Sequence, residues 1–296
     1  MRILIIGSQG FIGRNCENFF LKGKHEVYGC DIVDKSASNY FISPKDPNYD
    51  EVFKQVKPEV CINASGSADV GFSLKNPEVD YKLNVTNVRL MLDAILKYSP
   101  ACKFLNFSSA AVYGNPKSLP VRESASVGPL SPYGKNKLES ERLLKEYHVR
   151  HALPTCSMRV FSAYGTGLKK QFFWDIYQKS LKGRDITLFG TGNESRDFIF
   201  IDDLVRAIDC IIKGGKFNGE PMNVSSGVES SIKEVATEFL TALGDSFSIQ
   251  FTGEEKPGDP KNWKADISLL KACGFTPFTT FKEGIKKYAE WLKDSE

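Results

Sequence analysis

No stretch of this chain approaches the run of about 18 apolar residues that a membrane-spanning helix needs, so a spanning protein is not expected. The apolar run at its start, Ile3 to Ile6, is brief and leads into a glycine turn, which does not read as a secretory leader. Charge of one sign is scarce as well. The 39 lysines and arginines against 36 acids leave a net +3, and the basic residues are scattered, so nucleic acid and anionic membrane surfaces are not expected as partners. Only three histidines occur (His25, His148 and His151), and the seven cysteines show no paired metal-ligand spacing, so no metal site is expected. The cysteines (Cys16, Cys30, Cys61, Cys102, Cys156, Cys210 and Cys273) stand singly in apolar surroundings. They read as reduced core residues of a cytoplasmic protein.

What the chain does have is enough apolar material for a large core. Of its 296 residues, 41% are hydrophobic, and the length is about twice the commonest domain size. Short β-rich runs alternate with longer helical patterns. Strands are expected over residues 2–6, 26–30, 60–63, 102–107 and 155–160, and helices over 11–22, 49–56, 78–98 and 133–147. Ser131 can cap the last of these, with Pro132 in its first turn. Such alternation predicts an α/β, Rossmann-type doubly wound parallel sheet. After Gly165 the pattern loosens into turn-rich breaks around residues 165–167, 190–193, 214–219 and 253–260. Residues 1–165 therefore read as one domain and 166–296 as a smaller C-terminal α/β lobe, with 198–215 returning to the main sheet.

Three segments carry chemistry. Gly7-Ser8-Gln9-Gly10-Phe11-Ile12-Gly13 follows the first strand and opens the first helix. Gly7 permits the tight turn, Gly10 lets a pyrophosphate approach the backbone, and Gly13 lets helix and strand pack closely. The first-turn N–H groups then face the phosphates. Asp31 ends the second strand, where a carboxylate can accept from adenosine ribose hydroxyls and repel a 2′-phosphate, so NAD is preferred over NADP; Lys35 lies close by. Tyr133 and Lys137 stand four residues apart, one helical turn, and a neighbouring cation is expected to lower the phenol pKa toward neutrality, as a general base requires. Tyr113 and Lys117 repeat the spacing, but Gly114 and Pro116 argue against a helix there. Ser108 and Ser109 close the strand ending near residue 107, at the carboxyl edge where ligands bind, and can donate to a substrate oxygen.

Together these segments resemble the extended short-chain dehydrogenase/reductase family, in its nucleotide-sugar epimerase/dehydratase branch. Further matching pieces are the spacing Gly-x-x-Gly-x-x-Gly itself, NASG (63–66), Asn84, SSAAVYG (108–114), SPYGKNK (131–137), MRVFSAYG (158–165), RDFIFIDDLV (196–205), NVSSG (223–227), and PGDP (257–260) with Ala265-Asp266. They span nearly the whole chain in the family's order. The resemblance implies an NAD site that includes Phe11, Ile12, Ala64, Ser65 and Gly66, and a catalytic set of Ser109, Tyr133 and Lys137, with Tyr133 and Lys137 also on the cofactor. It implies a nucleotide-diphosphate sugar as substrate, held by Ser108, Ser109, Phe161, Ser162, Arg196, Lys256 and Asp259. Arg196 falls where the family's arginine meets the diphosphate, a role suited to its planar donor fork. It further implies a homodimer through the helices at 78–98 and 133–147.

The branch supports several reactions. Its 4,6-dehydratases carry Asp-Glu directly after the serine or threonine; here those positions are Ala110 and Ala111. The decarboxylase glutamate and the cysteine–histidine pair of 3,5-epimerase/reductases are likewise missing. A 4-epimerase and a 4-keto-sugar reductase remain. The preference for NAD and the SSAAVYG segment favour the epimerase, whereas the compact C-terminal lobe favours the reductase. Ser162, in place of the branch's asparagine, and Lys256, where UDP-galactose 4-epimerases carry arginine, leave the nucleotide open. A non-catalytic NAD-sensing regulator is the contrasting class, and the intact Tyr–Lys pair argues against it.

Overall fold

A run such as Ile3-Leu4-Ile5-Ile6 has no polar face, so the strand it forms must be covered on both sides. The computed structural model, which describes residues 1–33, 39–43, 47–244, 246–254 and 260–295, meets that demand with a layered α/β fold. In chain order it begins β1 (Arg2–Ile6), α1 (Phe11–Lys22), β2 (Glu26–Asp31), β3 (Tyr40–Ile42), α2 (Asp50–Val56) and β4 (Val60–Asn63). Next come α3 (Val70–Lys75), α4 (Pro77–Tyr81), a π-helical turn (Lys82–Thr86) and α5 (Asn87–Tyr98). A strand β5 (Lys103–Ser109), a 3-10 turn (Ala110–Val112), the long α6 (Pro132–His151) and β6 (Thr155–Val160) complete the first half. The second half is β7 (Ser162–Tyr164), α7 (Gln171–Ser180), β8 (Asp185–Leu188), β9 (Ser195–Phe200), α8 (Ile201–Gly214) and β10 (Asn218–Val224). It ends with β11 (Glu229–Ser231), α9 (Ile232–Leu243), β12 (Ser248–Phe251), α10 (Ser268–Ala272) and α11 (Phe281–Asp294).

Seven parallel strands form the main sheet in the order β10-β6-β5-β4-β1-β2-β3. The order reverses between β1 and β4, the place beyond the carboxyl ends of the strands where sheets of this kind bind their ligands. Alternation along β1 divides the core. Ile3 and Ile5 face the layer holding Cys16 and Phe20 of α1 and Ile208 of α8, whereas Leu4 and Ile6 face Phe53 of α2, Ile95 of α5 and Leu144 of α6. A second sheet, β11-β9-β7, and a β12-β8 pair belong to the C-terminal half, where the rings of Phe173, Phe198, Phe239 and Tyr288 pack edge to face, tilted or stacked.

Several boundaries differ from those expected. Residues 198–200 do not rejoin the main sheet: β9 pairs with β7 and β11. What returns is α8, which packs on α1, and β10, which adds to β6. β10 begins Asn-Gly-Glu-Pro, a turn-like composition that hides a strand, and its register shifts between Asn218 and Pro221. The expected helix over 78–98 is α4 and α5 joined through the π-helical turn. β5 runs on through both serines, which changes where they point. Five cysteines are buried, whereas Cys210 and Cys273 are only half-buried. No helix among the described residues is long and apolar enough to cross a membrane.

Candidate active site

The glycine turn between β1 and α1 is fixed by space. Gly7 has φ +81°, and a Cβ there would lie 2.6 Å from the Ser65 nitrogen. A Cβ on Gly13 would lie 2.1 Å from the Gly7 carbonyl, so only glycine lets α1 start this close to the sheet. No side chain caps α1, so its first-turn donors at Phe11, Ile12 and Gly13 are left for a ligand to satisfy. Gly10 supplies the extended residue that precedes them, and the N–H of Gly10 donates to the Gly7 carbonyl at 3.1 Å. Asp31, at the end of β2, accepts from the backbone of Gln9 at 2.8 Å and of Ile32 at 2.7 Å, which ties the turn to the β2 edge. Ala64, Ser65 and Gly66 follow β4 on the facing side; Ser65 is held by Asn63, and Gly66 has φ +100°. These features fit a dinucleotide: a cradle that a Cβ would fill, uncapped donors for a pyrophosphate, and a carboxylate one strand over.

Tyr133 and Lys137 lie one turn apart on α6, whose start Ser131 caps through Gly134 N–H at 3.2 Å. Gly134 is needed because a Cβ would meet the Ala111 carbonyl at 2.8 Å; the 3-10 turn after Ser109 presses directly on α6. That contact brings Ser109, Tyr133 and Lys137 together at the carboxyl edge of β5. The Ser109 hydroxyl accepts from Ala111 N–H at 3.1 Å and also draws the Tyr133 phenol pKa downward. Lys137 donates to the Phe107 carbonyl at 2.7 Å, and its Nζ lies 5.8 Å from the centre of the Tyr133 ring.

The expected lowering of the tyrosine pKa is not found. Burial pushes the Tyr133 phenol up to about 12, Ser109 pulls against it, and the Asp80 carboxylate adds to the rise. Burial brings Lys137 down to about 8, opposed by Asp80 and Glu141. The ammonium is directed at a backbone carbonyl rather than at the phenol, so the pair alone does not produce a base at neutral pH.

Under the site lies a polar layer that the sequence did not announce. Asn63 donates to Asn106 (2.7 Å), Asn106 to Ser140 (3.2 Å), and Ser140 to the Lys137 carbonyl (2.7 Å). Asn84, in the π-helical turn, is buried beside Gly66 with both ends of its amide unpartnered by protein. Buried amides are rarely left so; one beside Gly66 suits a ligand or bound water.

Two residues expected on the substrate, Ser108 and Phe161, are buried. Ser108 points to the opposite face of β5 from Ser109 and donates to Glu141 at 2.5 Å. Glu141 in turn is gripped by Arg159 through Nε at 2.9 Å and Nη2 at 2.7 Å, with both side chains buried. Strand alternation makes this unavoidable once β5 includes both serines. Phe161 is buried between Tyr113 and Trp263. Ser162 is half-exposed at the start of β7.

Arg196 is half-exposed on β9, anchored through Nη1 to the carbonyls of Ser195 (2.8 Å) and Lys261 (3.1 Å) and lying over the Trp263 ring. Its neighbour Asp197 points the other way and is fully buried. It accepts from Ser225 Oγ, the backbone of Ser226 and Gly227, and Ala265 N–H, so the NVSSG segment is tied to β9. Lys256 and Asp259, like Lys35, lie outside the described residues. Tyr113, of the discarded second pair, is buried with its hydroxyl on Asn223, outside any helix. No cluster of metal-binding side chains occurs among the described residues.

A uridine diphosphate-glucose 4-epimerase of Mycolicibacterium smegmatis is 27% identical over 99% of this chain and 99% of its own. The dTDP-glucose 4,6-dehydratase of Salmonella typhimurium is 25% identical over 98% of this chain and 92% of its own. UDP-glucuronic acid 4-epimerase from Bacillus cereus, solved in complex with UDP-glucuronic acid and NAD, matches this fold with a TM-score of 0.90 at 26% identity, each chain covered in full (100%). The profile of the NAD dependent epimerase/dehydratase family matches residues 3–225. That span takes in the glycine turn, Asp31, Ser109, Tyr133, Lys137 and Arg196, and the chain therefore belongs to the NAD dependent epimerase/dehydratase family, as an enzyme of the extended short-chain dehydrogenase/reductase type.

Proposed function

We propose that this enzyme inverts C4 of a nucleoside-diphosphate sugar through a transient 4-keto sugar, using NAD that it keeps bound. The observation that carries the reading is the convergence of Ser109, Tyr133 and Lys137 at the carboxyl edge of β5, the sheet edge that also carries the glycine turn, with alanines at 110 and 111. A dehydratase needs an acid to protonate the departing C6 hydroxyl, and Ala110 and Ala111 supply none. The names of the M. smegmatis and B. cereus relatives support the same reaction.

In this reading NAD supplies the hydride acceptor and, once reduced, the donor. The turn from Gly7 to Gly13, with Phe11 and Ile12, binds the pyrophosphate; Asp31 accepts from the adenosine ribose; Ala64, Ser65 and Gly66 line the facing wall. Tyr133 takes the proton from the C4 hydroxyl and later returns it. Ser109 donates to the same oxygen, and Lys137 holds positive charge nearby while also positioning the nicotinamide ribose. Charge brought into the pocket by the oxidised cofactor acts on the phenol in the required direction, because a nearby cation favours phenolate. Arg196 meets the diphosphate. Residues 1–165 serve as the cofactor domain and 166–296 mainly as the sugar-nucleotide lobe.

A homodimer through α4, α5 and α6 fits the exposed Val79, Tyr81, Leu90 and Val149 on that side. The unpaired cysteines favour a reducing compartment, hence the cytoplasm. The test is incubation of purified protein with UDP-glucose, UDP-glucuronic acid and dTDP-glucose without added cofactor. The expected product is the C4 epimer of one of them. A 4-keto-6-deoxy product, or turnover only of a 4-keto sugar with added NAD(P)H, would overturn the proposal.

A further inference from the structure

One buried carboxylate close to the Tyr133–Lys137 pair is unused by this chemistry. Asp80, on α4, is 0% exposed. Its Oδ2 accepts from Asn136 Nδ2 at 2.8 Å, and Asn136 immediately precedes Lys137 on α6. Its Oδ1 has no protein partner. A carboxylate this far from water is retained as an anion only against a neighbouring cation or several donors. Asn136 provides one donor. The buried cation next to Asn136 on α6 is Lys137, itself 5% exposed, with one N–H committed to Phe107.

We propose that Asp80 is a positioning residue for the reaction: its carboxylate is the counter-charge that keeps Lys137 protonated at neutral pH in a water-poor pocket. The inference rests on reading Tyr133 and Lys137 as the working pair. The other carboxylate that acts on Lys137 is Glu141, one turn further along α6, and its charge is already answered by Arg159 of β6. On the remaining elements packed on α6, the charged Lys75 of α3, Glu78 of α4 and Lys82 of the π-helical turn are exposed to solvent, and Lys103 of β5 donates to the Ile212 carbonyl at 2.7 Å. Ser73 of α3, Asn84 of the π-helical turn, Asn106 and Ser108 of β5 and residues 110–112 are uncharged. Arg89 and Asp93 of α5 act at Tyr147, and Glu220 of β10 pairs with Lys145. Burial alone takes Lys137 down, and Asp80 opposes that fall while raising Tyr133 as well. Removing its charge should therefore move both limbs of a bell-shaped rate profile toward acid together.

The direct test needs no substrate. In a carbon-13 lysine titration of cofactor-free protein, with Lys137 assigned through Lys137→Arg, the wild-type midpoint is expected near 8. Asp80→Asn keeps the size and an oxygen for Asn136, and should lower that midpoint by about one pH unit. Asn136→Ser cuts the hydrogen bond but keeps the charge, and should leave the midpoint nearly unchanged. An unmoved midpoint in Asp80→Asn, or an equal fall in Asn136→Ser, overturns the proposal. Should Asp80→Asn fail to fold, the wild type decides: the Asp80 carboxyl carbon should shift at the Lys137 midpoint, and absence of that inflection overturns the proposal. A midpoint that falls as expected in a protein that inverts no sugar would refute the proposed function while leaving the charge pairing in place.

Discussion

At the scale of single residues, burial works against the chemistry and bound partners must reverse it. A phenol held near 12 is a poor base at neutral pH, and desolvation leaves Tyr133 there. If the phenol moves the C4 proton, Tyr133→Phe should cut kcat by about a thousandfold while NAD affinity, measured by calorimetry, stays within a factor of about two. A variant of near-normal kcat would mean that another group is the base. Lys137 gives a stability test of its own. Its pKa is about 8 in the fold and 10.5 for an unperturbed lysine. Between those pH values the unfolded chain keeps a proton that the folded protein has released, so stability rises with pH across the window and is lowest below it. The gain is of order 3 kcal/mol at most. Urea unfolding should show that rise in the wild type and not in Lys137→Arg, whose guanidinium stays charged; parallel curves would contradict it. The placements readable from sequence were those set by near neighbours: the glycine turn, Asp31 at the end of β2, and Tyr133 and Lys137 one turn apart. Asp80, Glu141, Arg159 and Asp197 were not readable, because their partners are supplied by other elements of the tertiary fold.

At the scale of elements, spacing and alternation set what each side chain can reach. The tight start of α1 depends on Gly13, where a Cβ would press into the Gly7 carbonyl at 2.1 Å and the Ser8 Cα at 2.8 Å, both backbone atoms that cannot step aside. Gly13→Ala should therefore displace α1, lower Tm and weaken NAD binding by about tenfold or more, consistent with overpacking costs of about 1–3 kcal/mol. Unchanged melting and binding would show that the helix has room. Strand alternation explains the correction at β5: a strand ending at 107 leaves both serines in a loop, but one ending at Ser109 sends Ser108 to Glu141 and Ser109 to the site. The first-half elements were legible because unbroken apolar runs and helical periods are strong local signals. β10 and the short strands β7, β8, β11 and β12 were not, because their residues look like turns until a neighbouring strand pairs with them.

At the scale of the whole molecule, a buried network locks the cofactor sheet to the C-terminal half. Arg159 of β6 holds Glu141 on α6 and, through Nη1, the Tyr113 hydroxyl at 2.9 Å and the Glu123 carbonyl at 3.0 Å. Tyr113 passes the link to Asn223 of β10, whose amide reaches the carbonyls of Val121 and Asp266. Arg159→Met leaves a buried Glu141 uncompensated and should cost about 3–5 kcal/mol, whereas a double change that also replaces Glu141 with Met should recover much of that loss. Denaturant melts that show no loss in the single variant, or no recovery in the double, would contradict this view of the network. The parallel order of the main sheet puts the glycine turn after β1 and the Ser109–Tyr133–Lys137 group after β5 at the same carboxyl edge.

The central claim is that hydride leaves C4 and returns to the same carbon. A UDP-sugar carrying deuterium at C4 tests it when incubated with the purified protein and no added cofactor. The expected product is an inverted C4 epimer that retains its deuterium. Inverted product with the label washed out to solvent, or no inversion in any nucleotide-sugar offered, would contradict it.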